Sequence, residues 1–295
     1  MTTRKPVAAA TNDSPQSQAA VLWAARRAER HGVPLVIVHV VDDRWVAEPY
    51  PWIGVMEEAG DRLLQTAAGR VRDAFPTTIT TRLLTGSVGR SLAKYSAKAS
   101  MVVIGSGTGH LGGSLADRAL QVAASSKVPV AVVGTQDLEG RSGVVVGVDG
   151  SKEATQAVAF AAAEADREGD ELTVVYAIIA PDRVVDAGLT STSLAELIAE
   201  EERLVLAETV AGLKEDYPSL QVHQVLETER SPVDALVDAA RNARMLVVGS
   251  RGRGGIQRLL LGSTAHGVLR HLPCPTVIRL FAVEGVVEGR RLVRG

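Results

Sequence analysis

The groups in this chain best suited to chemistry lie in VVGSRGRGGIQRLLLGST, Val247 to Thr264, where five glycines and three arginines occur without one acidic residue. A surface turn needs only one or two glycines, and this number suits a backbone that must come close to an anion. Gly249-Ser250-Arg251-Gly252 is followed after nine residues by Gly262-Ser263, where the sequence predicts a helix start running toward Leu272. Backbone N–H groups at a helix N-terminus lack intrahelical acceptors and carry the positive end of the helix dipole, so they attract phosphate. Glycine lets oxygens approach, the Ser263 hydroxyl can donate, and Arg251, Arg253 and Arg258 add positive charge.

The elements that must position these residues follow from an internal repeat. PVAAATNDSPQSQAAVLWAARRAERHGVPLVIVHVV in the first half matches GVVVGVDGSKEATQAVAFAAAEADREGDELTVVYAII in the second. Farther along, ASMVVIGSG pairs with ARMLVVGSR and SSKVPVAVV with HLPCPTVIR. Two copies of one domain therefore stand in tandem, 1–138 and 139–295, joined near GTQDLEGRS. In each copy, Val/Ile/Leu-rich runs alternate with helical patterns, the signature of a parallel α/β sheet covered on both faces. In the second copy the sequence places strands at 143–148, 172–179, 220–226, 245–249 and 276–280. With five strands in a flavodoxin-type order, 3-2-1-4-5, ligands bind beyond the carboxyl ends of the first and fourth strands. Those strands end in GVDGS, Gly147 to Ser151, and in the glycine-rich segment.

The pattern G-x2-G-x9-G-S, with Asp149 after the first strand, resembles that of the ATP-binding universal stress proteins, and the resemblance covers both halves, as in a tandem bacterial member. It implies two flavodoxin/adenine-hydrolase-like domains and an ATP site in the second, with Mg2+ or Mn2+. Gly249, Gly252, Gly262 and Ser263 would meet ribose and phosphates, with Ser250, Arg251, Gly254 and Thr264 beside them. Asp149, with Gly150 and Ser151, would serve the nucleoside end, and Ala177 would lie against the adenine. The same glycines and serine have a plainer reading, as a chain turn and a helix cap. The implied role is a nucleotide-responsive stress or dormancy regulator; the alternative is a slow ATPase or nucleotidyl-transfer enzyme. Phosphoryl transfer also needs a base or water-orienting group, and none stands out in the loops at the crevice.

The first copy departs from the pattern. Asn12 replaces Asp149, with Asp13 one position onward, and Thr108 follows Gly105-Ser106-Gly107 in place of the second glycine. Ala116-Asp117 fill the positions of Gly262-Ser263. Ser114-Leu115-Ala116-Asp117 reads as a capping box, which would put a carboxylate where a phosphate otherwise sits. The first site is thus expected to be weak or dead.

Other signals exclude more than they assign. Gly107-Thr108-Gly109-His110-Leu111-Gly112 spells GxGxxG but follows a late strand, with no acidic residue ending the next to hold a ribose. No GxxxxGK[ST] or GxSxG occurs. His266 and His271 are five apart, off the spacing that puts zinc ligands on one helix face, and His39 reads as a hydrogen-bonded core histidine. Trp45 and Trp52 fall in a proline-bearing loop after the second strand.

A net charge of -2 and 3% aromatics argue against a nucleic-acid partner. One cysteine, Cys274, excludes an intrachain disulfide or CxxC metal site. The absence of a signal-peptide pattern and of any bilayer-length apolar run leads to the expectation of a cytoplasmic protein without a membrane partner. The last strand of each copy, VPVAVV and CPTVIR, would lie at a sheet edge. Such apolar edges are paired or covered. The resemblance to the universal stress proteins implies that such edges pair between domains, hence an intrachain pseudo-dimer of the copies, with homodimerisation of the chain beyond it.

Overall fold

The computed structural model describes residues 4–43, 52–106, 115–178, 191–250, 252 and 261–279, with backbone only for 115–118, 152–153 and 191–196. In the first repeat the elements run β1 (Val7–Ala10), α1 (Pro15–His31), β2 (Leu35–Val41), α2 (Trp52–Arg72), β3 (Ile79–Thr85), α3 (Val88–Tyr95), β4 (Met101–Gly105), α4 (Leu115–Ser125) and β5 (Val130–Val133). The second runs β6 (Val144–Val148), α5 (Lys152–Glu168), β7 (Leu172–Ala177), α6 (Ser191–Val210), α7 (Leu213–Asp216), β8 (Val222–Glu227), α8 (Pro232–Ala239), β9 (Met245–Gly249), α9 (Ser263–His271) and β10 (Thr276–Arg279).

Matched local signals open and close the first helix of each repeat. Ser14 caps α1 by accepting from Ser17 N–H at 3.3 Å, and Ser151 caps α5 by accepting from Ala154 N–H at 3.2 Å. Gly32 and Gly169 end them in the left-handed region, at φ 59° and 66°. Between the caps, Ala20, Ala24 and Ala28 in α1 and Ala157, Ala161 and Ala165 in α5 are fully buried. A stripe of alanines every fourth residue lets the helix lie close on a sheet of β-branched side chains.

All strands join one sheet in the order β3-β2-β1-β4-β5-β10-β9-β6-β7-β8. Neighbours within a repeat are parallel, and the repeats meet through β5 and β10, which pair antiparallel with Ala131 opposite Val277. One core lies under α1, α2, α5 and α6, and the other under α3, α4, α8 and α9. Val130 to Val133 are buried on both faces, which is why this strand reads as an unbroken apolar run.

The boundaries differ from the sequence reading in a few places. β6 starts at Val144 because Gly143 turns the chain at φ 82°, and β8 is Val222–Glu227, with buried Leu220 ahead of it. Residues 179 and 280 lie outside the described residues, as does Trp45. Trp52 is not a loop residue: it opens α2 with its side chain 67% exposed. Pro51 before it, suited to a helix entrance, was the available signal. The short α7 has no counterpart in the sequence reading. His39 Nδ1 donates to the Thr11 carbonyl at 2.8 Å, and burial pushes the Cys274 thiol up to about 12.

Candidate functional site

β6 and β9 lie side by side in the sheet, so the turn after one faces the segment after the other. Asp149 leaves β6 and folds into a tight turn. Its Oδ1 accepts from Ser151 N–H at 3.1 Å and from the Ser151 hydroxyl at 2.6 Å, while Gly150 takes φ 71° between them. Ser151 in turn caps α5, so the turn that aims Asp149 is anchored to a helix.

Across the crevice, Ser250 is buried and acts as a tie. Its N–H donates to the Arg279 carbonyl at 3.0 Å, and its own carbonyl accepts from Gly262 N–H at 2.8 Å. The two ends of the glycine-rich segment are thereby held together at the sheet. Gly262 is the N-cap of α9, with φ -70° and ψ 153°, and offers no side-chain cap. Ser263 is exposed and Thr264 half-buried at the start of the helix, whose first turn has N–H groups without intrahelical acceptors.

The two sides meet at Gly252. A Cβ on that residue would stand 2.6 Å from Asp149 Oδ2. The carboxylate and the segment's backbone therefore approach so closely that a side chain at 252 would displace the Asp149 carboxylate. Ala177 ends β7, half-buried, beside Glu227 at the end of β8. The Glu227 carboxylate accepts from Glu229 and Arg230 N–H and pairs with the Arg230 guanidinium, which together hold it near 2 and brace the β8–α8 loop. Arg251, Arg253, Gly254 and Arg258 fall outside the described residues. Of the expected site residues, the structure thus joins Asp149 to Ser151 through the turn at Gly150, sets Gly252 against Asp149, and ties Ser250 to Gly262 just ahead of Ser263, with Gly249 at the end of β9.

The first repeat keeps the turn and changes its chemistry. Asn12 Oδ1 accepts from Ser14 N–H at 3.3 Å and from its hydroxyl at 2.7 Å, as Asp149 does with Ser151, but without the charge. Asp13 holds φ 64° where Gly150 holds 71°, and a hydrogen bond from Arg70 on α2 lowers its pKa. Gly105, the counterpart of Gly249, serves packing: a Cβ there would stand 2.6 Å from the backbone of Gln16 and Ser17 in α1. Gly107, Thr108, His110 and Ser114 lie outside the described residues, as does the side chain of Asp117.

Two features escaped the sequence reading. Ser250 was visible only as part of a motif, and its tying role needs both flanking strands. Arg279 ends β10 in register with Gly249, and its Nε has no hydrogen-bond partner among the described residues. Burial lowers its pKa. The available signal was a charged residue closing an otherwise apolar strand.

The model of the Universal stress protein family matches residues 3–134 and again 141–278. This chain belongs to the universal stress protein family. A universal stress protein of Mycobacterium tuberculosis is 32% identical over 287 residues, covering 92% of this chain and 96% of that one. Another, from Mycolicibacterium smegmatis, is 34% identical over 284 residues, covering 90% and 94%. The crystal structure of a universal stress protein from Archaeoglobus fulgidus shares the fold over 94% of this chain and 96% of its own, with a TM-score of 0.67 at 22% identity. The two-repeat layout is shared with these relatives, which the chain matches along nearly their whole length. Among the described residues, no helix is long and apolar enough to cross a membrane and no His/Cys/Asp/Glu cluster could hold a metal ion.

Proposed function

We infer that the second repeat binds ATP with Mg2+ or Mn2+, and that this universal stress protein acts in the cytoplasm as a nucleotide-responsive regulator rather than a rapid catalyst. The observation that carries this reading is the meeting of three groups at the carboxyl ends of β6 and β9. These are the Asp149 carboxylate, a backbone at Gly252 bare enough to touch it, and the uncapped α9 start at Gly262-Ser263. Such a helix start suits phosphate, and the bare glycine backbone suits close approach of its oxygens. Gly249, Ser250 and Thr264 would flank the phosphates, while Asp149, with Gly150 and Ser151 shaping its turn, and Ala177 would serve the nucleoside end. Arg251 and Gly254 are assigned to the phosphate side by family resemblance. Asp149 Oδ1 is committed to Ser151, which makes this carboxylate a positioning group rather than a free base.

The first repeat offers an uncharged Asn12 and an Asp13 already paired with Arg70, so we assign one nucleotide to each chain. The β5–β10 pairing supports an intrachain pseudo-dimer of the repeats. Any further homodimer must use other surfaces, since both of these strands are occupied inside the chain. Native mass spectrometry at saturating ATP and divalent ion should count one nucleotide per chain. A count of two or of none overturns the assignment, and many fast rounds of phosphate release would overturn the regulator reading.

A further inference from the structure

The contact between the repeats is nearly symmetric. Ala131 and Val277 occupy the same position of the two copies, in SSKVPVAVV and HLPCPTVIR, and they face each other in the β5–β10 pair. A pseudo-twofold axis therefore passes between them. On the α1/α5 face, aligned WAARRAERHG and FAAAEADREG place Trp23 with Phe160, Arg27 with Glu164, Arg30 with Arg167 and His31 with Glu168. Arg27 meets its own counterpart: its two terminal nitrogens donate to the Glu164 carboxylate at 2.5 and 2.7 Å. Flanking contacts follow the same symmetry, since Arg30 pairs with Glu168 and His31 Nδ1 lies 3.5 Å from Arg167, each the other's image across the axis.

This central pair is sheltered, with side chains only 10% and 7% exposed. The Arg27 guanidinium lies 5.8 Å from the Trp23 ring centre and 5.9 Å from that of Phe160, so the two symmetry-related rings flank it. Burial opposes ionisation of Glu164, but hydrogen bonds from His31 and Arg27 and the charge of Arg27 outweigh it and hold the carboxyl near 2. A charge in such a place is tolerated only when its opposite faces it.

Symmetry turns this into a rule about partners. If two first repeats met through the same strands and helices, Arg27 would face Arg27. If two second repeats met, Glu164 would face Glu164. In the latter case Arg167 and Glu168 would still attract, but Glu168, at 15%, is more exposed than Glu164 at 7%, and the two axial carboxylates would be left buried without Arg27. The buried pair on the axis decides. We propose that Arg27 and Glu164 make this face a heterotypic pairing surface, accepting the opposite repeat and rejecting a second copy of the same one. Because apolar strands like β5 and β10 would otherwise pair with other copies of the chain, a built-in clash against like repeats favours closure within one molecule. This proposal is independent of any nucleotide.

The test uses the full chain with Arg27→Glu, with Glu164→Arg, and with both exchanged. Each chain also carries Ala131→Cys as a reporter: Ala131 faces Val277 inside a chain, so two reporters meet only when first repeats of two chains pair. Each single variant should melt roughly 10 °C below the parent, and the exchanged variant should recover most of that loss. Under mild oxidation, the parent, each single variant and the exchanged chain should stay uncrosslinked. Co-expressed Arg27→Glu and Glu164→Arg chains should form mixed disulfide dimers at least about tenfold above those levels, because the carboxylate introduced into one first repeat then meets the native Arg27 of the other. Crosslinking in the parent equal to that of the mixture, no crosslinking from the mixture, or an exchanged variant that melts as low as the singles would each overturn the proposal. If the single variants fail to fold, the exchanged variant decides alone.

Discussion

Gly105 and Gly249 stand at the same place in the two repeats, yet a glycine in a motif serves different ends at different positions. At Gly105 a Cβ would strike the backbone of Gln16 and Ser17, which cannot move without shifting α1. Gly105→Ala should therefore lower stability by about 1–3 kcal/mol, as overpacking does, and leave ATP affinity unchanged. At Gly252 a Cβ would strike Asp149 Oδ2, the end of a side chain that can swing aside. Gly252→Ala should leave the melting temperature nearly unaltered while displacing the carboxylate. We expect ATP affinity to fall about tenfold, ~1.4 kcal/mol. Calorimetric titration and thermal melts of both variants check this contrast, and equal effects of the two substitutions on binding would show that they share one role. The spacing of the glycines was legible in the sequence. What each one makes room for was not, because the obstructing atom belongs to a distant segment.

At the scale of elements, the start of α9 is the feature that distinguishes the repeats. Gly262 caps it without a side chain, leaving the first turn open, whereas the sequence places an acid, Asp117, near the start of α4. Gly262→Asp would satisfy the helix and put a negative charge where phosphate is proposed to sit. Stability should hold or rise by a few tenths of a kcal/mol, while ATP affinity falls tenfold or more, about 1.4 kcal/mol or greater. Unchanged affinity would mean that the phosphates do not rest on this helix. Strands and helices of this chain were readable from alternating apolar runs, serine caps and terminal glycines. The departures came where a local rule had a rival: Trp52 follows prolines and so reads as loop, but it begins α2.

For the whole molecule, the contact between the repeats adds a buried carboxylate to the groups that respond to acid. The Glu164 carboxyl sits near 2 against an ordinary 4.5. A depressed folded-state pKa means that the unfolded chain takes up the proton first. The stabilisation is thus complete above about 4.5 and lost as pH falls toward 2. Its size is on the order of 3 kcal/mol. Glu164→Gln should be less stable than the parent by a margin of this order at neutral pH, and the margin should shrink over that acid window. Denaturant unfolding at a series of pH values measures it. A gap that stays constant down to pH 2 would show that Glu164 is not ionised through its pairing with Arg27 and His31.

The sequence by itself determined the family, the doubling of an α/β unit, and the placement of a glycine-rich segment after one strand and an acidic turn after another. These are local patterns of period, cap and spacing, repeated twice in one chain, and each needs only neighbouring residues to be expressed. The tertiary structure alone decided that Ala131 lies opposite Val277, that Arg27 meets Glu164, and that Gly252 touches Asp149. Each of these joins residues about a hundred positions or more apart in the chain. Their meeting depends on the register of two antiparallel edges and on which side chains that closure sets face to face, and no run of adjacent residues encodes it.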